Sequence, residues 1–167
     1  MQLDIACVDN QFEEVCLMAV RKNGMALRYI SNQNYKICLE AVMQNGMALR
    51  EVMFDKLNLT KEQEEKLFIE ALKQNKLSIK YIRDRKKYLD IFNIKILEKT
   101  KDAEEVIAIK EDEECLFAIS FKFFISERDI TKEAFMEKIY NEGDGFDPKK
   151  GINIHRQVYL DFLKECE

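Results

Sequence analysis

Apolar positions in the first eighty residues recur with helical spacing, and the pattern then recurs as whole blocks. Val15 with Ala19, and Cys16 with Val20, stand four apart and form the stripe of a helix from about Phe12 to Lys22. The 16 residues Val15 to Ile30 return at Ile37 to Val52, with ten identities at a spacing of 22. A more divergent copy runs from Leu67 to Ile82, offset by 30. Stepping back 22 from the first copy sets Leu3, Ile5 and Val8 on Met25, Leu27 and Ile30, so the chain is expected to open in the second half of a truncated unit.

Each unit is expected to hold two helices joined at Asn-Gly. Gly24 and Gly46 follow the helical stripe, where a left-handed residue ends many helices and glycine adopts that conformation without steric cost. A short second helix then buries Met25, Leu27 and Ile30, and in the next copy Met47, Leu49 and Val52. Neither helix alone can bury its stripe, so neighbouring units must stack. Ala19, Ala41 and Ala71 share one column, where two helices are expected to approach closely. Cys16 and Cys38 hold equivalent places as small core residues, and Met25 and Met47 as core packing.

The pattern Ala19-Val20-x-x-Asn23-Gly24-x-Ala26-Leu27, repeated as Ala41-Val42-x-x-Asn45-Gly46-x-Ala48-Leu49, resembles a bacterial family of short helical repeats. Its members are known mainly as a domain of unknown function, often in tandem copies. The resemblance covers residues 1–82. It implies a helical scaffold that binds another macromolecule, and it brings no catalytic residues. The third copy has Lys76 in place of glycine and Ser78 in place of alanine, which puts its turn in question.

The period changes in the second half. Phe117, Ile119, Phe121, Phe123 and Ile125 alternate with Leu116, Ala118, Ser120, Lys122 and Phe124, which reads as one long strand. Val106 to Ile109 reads as a shorter strand, joined to it as an antiparallel hairpin by the acidic turn Glu111-Asp112-Glu113-Glu114. Thr131 is placed to cap a helix through Asn141 that carries Phe135, Ile139 and Tyr140. Gly143 to Gly151 is expected to be a surface loop, and Arg156 to Glu165 a last helix with Val158, Tyr159, Phe162 and Leu163 inward. The fold class is therefore α+β and mostly α. Stacked helix-turn-helix repeats occupy 1–90, and a small unit with a β-hairpin and two helices occupies 91–167.

Charge supports that division. Residues 1–90 carry 15 basic and 13 acidic side chains, whereas 91–167 carry 12 and 18, and the whole chain has a net charge of −4. With 5 Gly and 1 Pro among 167 residues, collagen-like, low-complexity and turn-dense sandwich folds are excluded. The apolar stretch Cys115 to Ile125 is too short to cross a bilayer, and Met1 to Ile5 shows no signal-peptide pattern, so a cytosolic protein without a membrane partner is expected. Cys7, Cys16, Cys38, Cys115 and Cys166 form neither a CxxC pair nor a Cys/His cluster, so no metal, cofactor or disulfide framework is expected.

Three clusters bear on chemistry. Lys73, Lys76, Lys80, Arg83 and Lys87 are spaced 3, 4, 3, 4 and would form one stripe on a continuous helix, with Arg85 and Lys86 adding to it and Tyr81 and Tyr88 nearby. Such a stripe suits a phosphate backbone, although a solvated helix face is the plainer reading. His155 with Asp147 or Asp161 has the types of an acid–base pair, but no nucleophile motif or phosphate loop accompanies it. Asp144-Gly-Phe-Asp147 lacks the alternating ligands of a calcium loop and reads as a turn.

Glu111, Asp112, Glu113 and Glu114 are four consecutive acids at an expected hairpin turn, and they are the candidate partner-binding residues. The leading expectation is a non-enzymatic protein-interaction module that binds a basic protein surface. By analogy with small acidic proteins, its role would be inhibition, such as toxin immunity or antagonism of a defence nuclease. The alternatives are nucleic-acid contact through 73–87 and an enzyme centred on His155.

Overall fold

The computed structural model describes residues 5–111, 114–121, 124–125, 131–141, 146–147, 152–153 and 155–166. The chain divides into two units, Met1–Arg85 and Lys86–Glu167.

In the first unit, α1 (Ile5–Lys22), α2 (Tyr35–Gln44) and α3 (Lys61–Gln74) are each followed by a 3₁₀ segment, Gly24–Tyr29, Gly46–Glu51 and Lys76–Tyr81 respectively. One asparagine makes each change of helix type. The backbone N–H groups of Asn23, Asn45 and Asn75 donate to the carbonyls of Ala19, Ala41 and Ala71 at 2.8–2.9 Å and close the α-helix. Their side chains then accept from the N–H groups of Met25, Met47 and Leu77 at 3.1, 3.0 and 2.9 Å and cap the 3₁₀ segment. Each asparagine is extended, with φ between −150 and −153°.

The glycines serve a different purpose from the one their position after a helix suggests. Neither lies in the left-handed region, and each is the first residue of a 3₁₀ segment. A Cβ on Gly24 would fall under 3.0 Å from the carbonyl oxygen of Ala41, and one on Gly46 under 3.0 Å from that of Ala71. Glycine is required because the next helix passes against it. The same approach lets Gln44 accept from the Gly24 N–H at 2.6 Å, and Gln74 from the Gly46 N–H at 3.4 Å. Lys76 closes the series. A side chain is accommodated there, and the third turn forms like the others.

Repeat-equivalent positions fill the core. Leu27, Leu49 and Ile79 are buried, as are Ile37 and Leu67, each worth roughly 1.5–3 kcal/mol by transfer from water. Cys16 and Cys38 are buried too, whereas Met25 and Met47 are half-buried. The alanine column holds at Ala41 and Ala71 only; Ala19 is exposed. No truncated unit precedes α1 among the described residues, because Ile5 to Asn10 form its first turns. The 30-residue offset before the third copy accommodates an extra 3₁₀ turn, Phe54–Lys56, and a capping box in which Thr60 and Gln63 satisfy each other's backbone N–H.

In the second unit, the short helix α4 (Lys86–Leu89) leads into a four-stranded antiparallel sheet in the order β1 (Ile94–Leu97), β2 (Val106–Glu111), β3 (Glu114–Phe121), β4 (Phe124–Ile125). The aromatic run is not one strand. Ser120 pairs with Ile125 and Phe121 with Phe124, so the chain doubles back within it. The helices α5 (Lys132–Asn141) and α6 (Arg156–Cys166) follow, separated by a two-stranded ladder, β5 (Phe146–Asp147) with β6 (Ile152–Asn153). That ladder lies in the stretch expected to be a loop, most of which falls outside the described residues.

Period-two alternation builds the core of this unit. Val106, Ala108, Phe117 and Ile119 share one face of the sheet and pack with Phe135 and Ile139 of α5 and Tyr159, Phe162 and Leu163 of α6. Phe117 and Phe135 stack with centroids 4.7 Å apart, and Tyr159 meets Phe135 edge-on at 6.2 Å. The Tyr159 hydroxyl accepts from the buried N–H of Glu104 at 2.9 Å, which satisfies both groups inside the core.

Candidate functional site

The β2–β3 ladder carries the acidic hairpin. Cross-strand pairs run from Val106↔Ile119 to Lys110↔Cys115 and end at Glu111↔Glu114. Asp112 and Glu113 lie outside the described residues. Glu111 and Glu114 are exposed and form the last cross-strand pair of the ladder. The buried residues of both strands hold this end in place, since Ile107, Ala108, Phe117 and Ala118 are each at most 2% exposed.

A cleft of about 220 Å³ opens beside the hairpin, lined by Glu114, Cys115, Leu116, Thr131, Lys132 and Glu133. Its far wall is the start of α5. Thr131 caps that helix, its hydroxyl accepting from the Ala134 N–H at 3.4 Å. Hydrogen bonds from its own backbone N–H and from the Thr131 hydroxyl hold the Glu133 carboxyl below the usual carboxylate range, so it is ionised at neutral pH. Glu114 and Glu133 thus place carboxylates on two walls of one cleft, with Lys132 on the same rim.

The basic residues do not share a helix. Lys73 lies in the last turn of α3 and pairs with Glu70 at 2.9 Å; Lys76 and Lys80 belong to a 3₁₀ segment; Arg83 lies in a turn, 3.8 Å from Asp55; Lys87 belongs to α4 of the second unit, 5.0 Å from the Tyr88 ring. The 3, 4, 3, 4 spacing forms a stripe only at a constant 3.6-residue period, and Asn75 ends that period.

His155 is also placed differently from the expectation. Its Nδ1 lies 3.5 Å from Asp102 Oδ1, whereas Asp161 accepts from Lys164 at 3.1 Å and Gln157 at 2.9 Å, bonds that lower its pKa. Asp147 lies in β5, its side chain outside what the structure describes, and Asp144 is likewise outside. Among the described residues, no three His, Cys, Asp or Glu side chains gather as for a metal ion. No described helix is long and apolar enough to cross a membrane.

Sequence reasoning missed the side chains that tie the repeats together. Gln33 donates to the carbonyls of Leu27 and Glu51 at 3.2 and 2.9 Å and accepts from the Met53 N–H at 2.9 Å. Arg21 grips Glu40 through two bonds of 2.9 and 3.1 Å, and Arg28 reaches Glu51 at 3.0 Å. A helical wheel shows these residues as solvated, because their partners lie about 20 residues away in sequence.

The comparison with known families touches the first unit only. Residues 13–57 match a domain of unknown function, DUF4116. The DUF4116 segment runs from within α1 to the Phe54–Lys56 turn and so spans both Asn-Gly copies. No curated protein and no solved structure matches the chain.

Proposed function

We propose that this chain is a non-enzymatic, cytosolic protein-interaction module of a bacterial tandem-repeat family, which binds a basic protein surface through the acidic hairpin. The observation that carries the reading is the placement of Glu111 and Glu114 at the end of the β2–β3 ladder, beside a cleft that adds Glu133. A cationic partner surface would meet the carboxylates of Glu111, Glu114 and Glu133 together. The acids also steer encounter, since the charge of the 91–167 region is −6 and its field reaches about 8 Å at physiological ionic strength. A surface of this kind competes with phosphates for a basic groove. Inhibition of a nucleic-acid-binding enzyme is therefore the role the reading implies.

The test is differential capture. Wild-type protein and a variant with Glu111→Gln, Asp112→Asn, Glu113→Gln and Glu114→Gln are each immobilised against lysate of the native host. A basic protein retained by the wild type and lost by the variant is expected. The same proteins retained by both would set the hairpin aside.

A further inference from the structure

Two of the described cysteines line one cleft in the second unit. Period-two alternation puts Lys95, Ala108, Lys110 and Cys115 on the face of the sheet that α5 and α6 cover. A cleft of about 400 Å³ opens at the hairpin end of that face, where Asp90, Lys95, Lys110, Cys115 and Cys166 reach its wall. Lys110 and Cys115 are direct cross-strand partners, and Cys166 is the final residue of α6. Both cysteines are thiols.

Their geometry brings the sulfurs within reach of one another. The Cys115 thiol donates to the carbonyl oxygen of Cys166 at 3.5 Å, satisfying one of the last carbonyls of α6, which have no donor within the helix. The Cys166 sulfur is only a few bonds from the oxygen that Cys115 touches. The end of a helix frays readily, so the last residue of α6 can settle at the Cα separation of about 5.5–6 Å that a disulfide prefers. Access to the two thiols is unequal. Cys115 is half-buried and also lines the cleft beside the acidic hairpin, whereas Cys166 is 5% exposed. Two lysines against one aspartate make the shared wall electropositive, and partly exposed, electropositive surroundings are where cysteine sulfur reacts. Cys16 and Cys38, buried in the repeats, line neither cleft.

We infer that Cys115 and Cys166 are a redox-active pair, which a hydroperoxide oxidises to an intramolecular disulfide and a small dithiol returns to thiols. Cys115, the accessible member, attacks first. Its thiolate sulfur takes the terminal peroxide oxygen, so that an S–O bond forms, the O–O bond breaks, and the peroxide is reduced to an alcohol or, from hydrogen peroxide, to water. The Cys166 sulfur then attacks the sulfenic sulfur of Cys115. An S–S bond forms, the S–O bond breaks, and the hydroxyl leaves as water with the Cys166 thiol proton. Across both steps two thiols lose two electrons and two protons to one peroxide. The bond ties the end of α6 to the strand that begins at Glu114, next to the surface proposed for the partner, although the chemistry does not depend on that reading.

Hydrogen peroxide added to the reduced full chain, followed by digestion without reductant and mass spectrometry, tests the pair. A linked Cys115–Cys166 peptide from monomeric protein, two hydrogens lighter than its separated halves and cleaved by dithiothreitol, is expected. In Cys166→Ser the sulfenic acid has no thiol to resolve it, so dimedone should label Cys115 several times more heavily than in wild type. Phenylarsine oxide adds a measurement that does not depend on the buried substitution, because its trivalent arsenic bridges two neighbouring thiols. By native mass spectrometry one equivalent should bind wild type and none should bind Cys115→Ser. Absence of the linked peptide, with Cys115 unchanged, joined to another chain or carried on to the sulfinic acid, overturns the inference. Equal dimedone labelling in wild type and Cys166→Ser, or equal arsenical binding by wild type and Cys115→Ser, overturns it as well.

Discussion

Gly24→Ala and Gly46→Ala probe the packing logic of the repeats most sharply. The added Cβ would lie under 3.0 Å from a helical carbonyl, where ordinary contact begins near 3.4 Å. Carbonyls of Ala41 and Ala71 are fixed by their bonds to Asn45 and Asn75, so the neighbouring units must move apart by several tenths of an ångström or more. A gap of 0.5–1 Å forfeits roughly a quarter of the contact energy of each side chain facing it. With roughly 2 kcal/mol at each of about four buried side chains along the junction, the loss is about 2 kcal/mol. In urea, with a slope of about 1–3 kcal/mol per molar, the midpoint should fall by about 1 M. Gly24→Asn and Gly46→Asn separate this cause from a left-handed backbone. Asparagine tolerates the left-handed region, so near-wild-type midpoints for Asn alongside a loss for Ala would refute the close-approach argument. The converse control is Lys76→Gly, which relieves nothing and should cost about 0.5–1 kcal/mol through chain entropy.

Other expectations follow from buried groups and ion pairs. Burial pushes the Cys38 thiol up to about 12, so it should resist a thiol reagent at neutral pH in the native protein and react at once in denaturant; prompt native labelling at Cys38, mapped by mass spectrometry, would contradict its burial. Ser78 stands where the other repeats have alanine, and among the described residues its buried hydroxyl finds no hydrogen-bond partner, so Ser78→Ala should leave the thermal midpoint unchanged or raise it. Hydrogen bonding from Arg50, with the charges of Arg50 and Arg28, holds the Glu51 carboxyl below its usual range. Its contribution is present above the unfolded value of about 4.3 and is lost as pH falls through the lowered folded value. Glu51→Gln should therefore flatten the acid limb of a stability profile, and an unchanged limb would show the pair to be inert.

What was legible in the sequence and what was not divide along the range of the forces involved. The Asn-Gly-Met-Ala-Leu blocks showed where helices stop and start, because a cap is a local matter of one side chain and the next backbone N–H. The role of the glycine is hidden for the same reason. A left-handed turn is the local explanation, whereas the carbonyl that excludes a Cβ belongs to a helix about 20 residues on. The break between β3 and β4 has no Gly, Asn or Pro to mark it, only Lys122 and Phe123 inside an alternating run. Strand β1 carries no sequence signal because Ile94-Lys95-Ile96-Leu97 is too short to establish a period. The hairpin acids were visible as a charge run, but the register that opposes Glu111 to Glu114, and the cleft that adds Glu133, required the fold.

The most direct test of the functional account is an association rate. Once a basic partner has been captured, stopped-flow mixing with wild type and with the four-residue Gln/Asn hairpin variant, across a series of salt concentrations, isolates the electrostatic part of the encounter. The account predicts a wild-type rate that falls steeply with ionic strength, a variant slower at low salt, and convergence of the two at high salt, where the screening length shrinks to about 3 Å. Identical rates for both proteins throughout the series would contradict it and leave the acids a role in solubility alone.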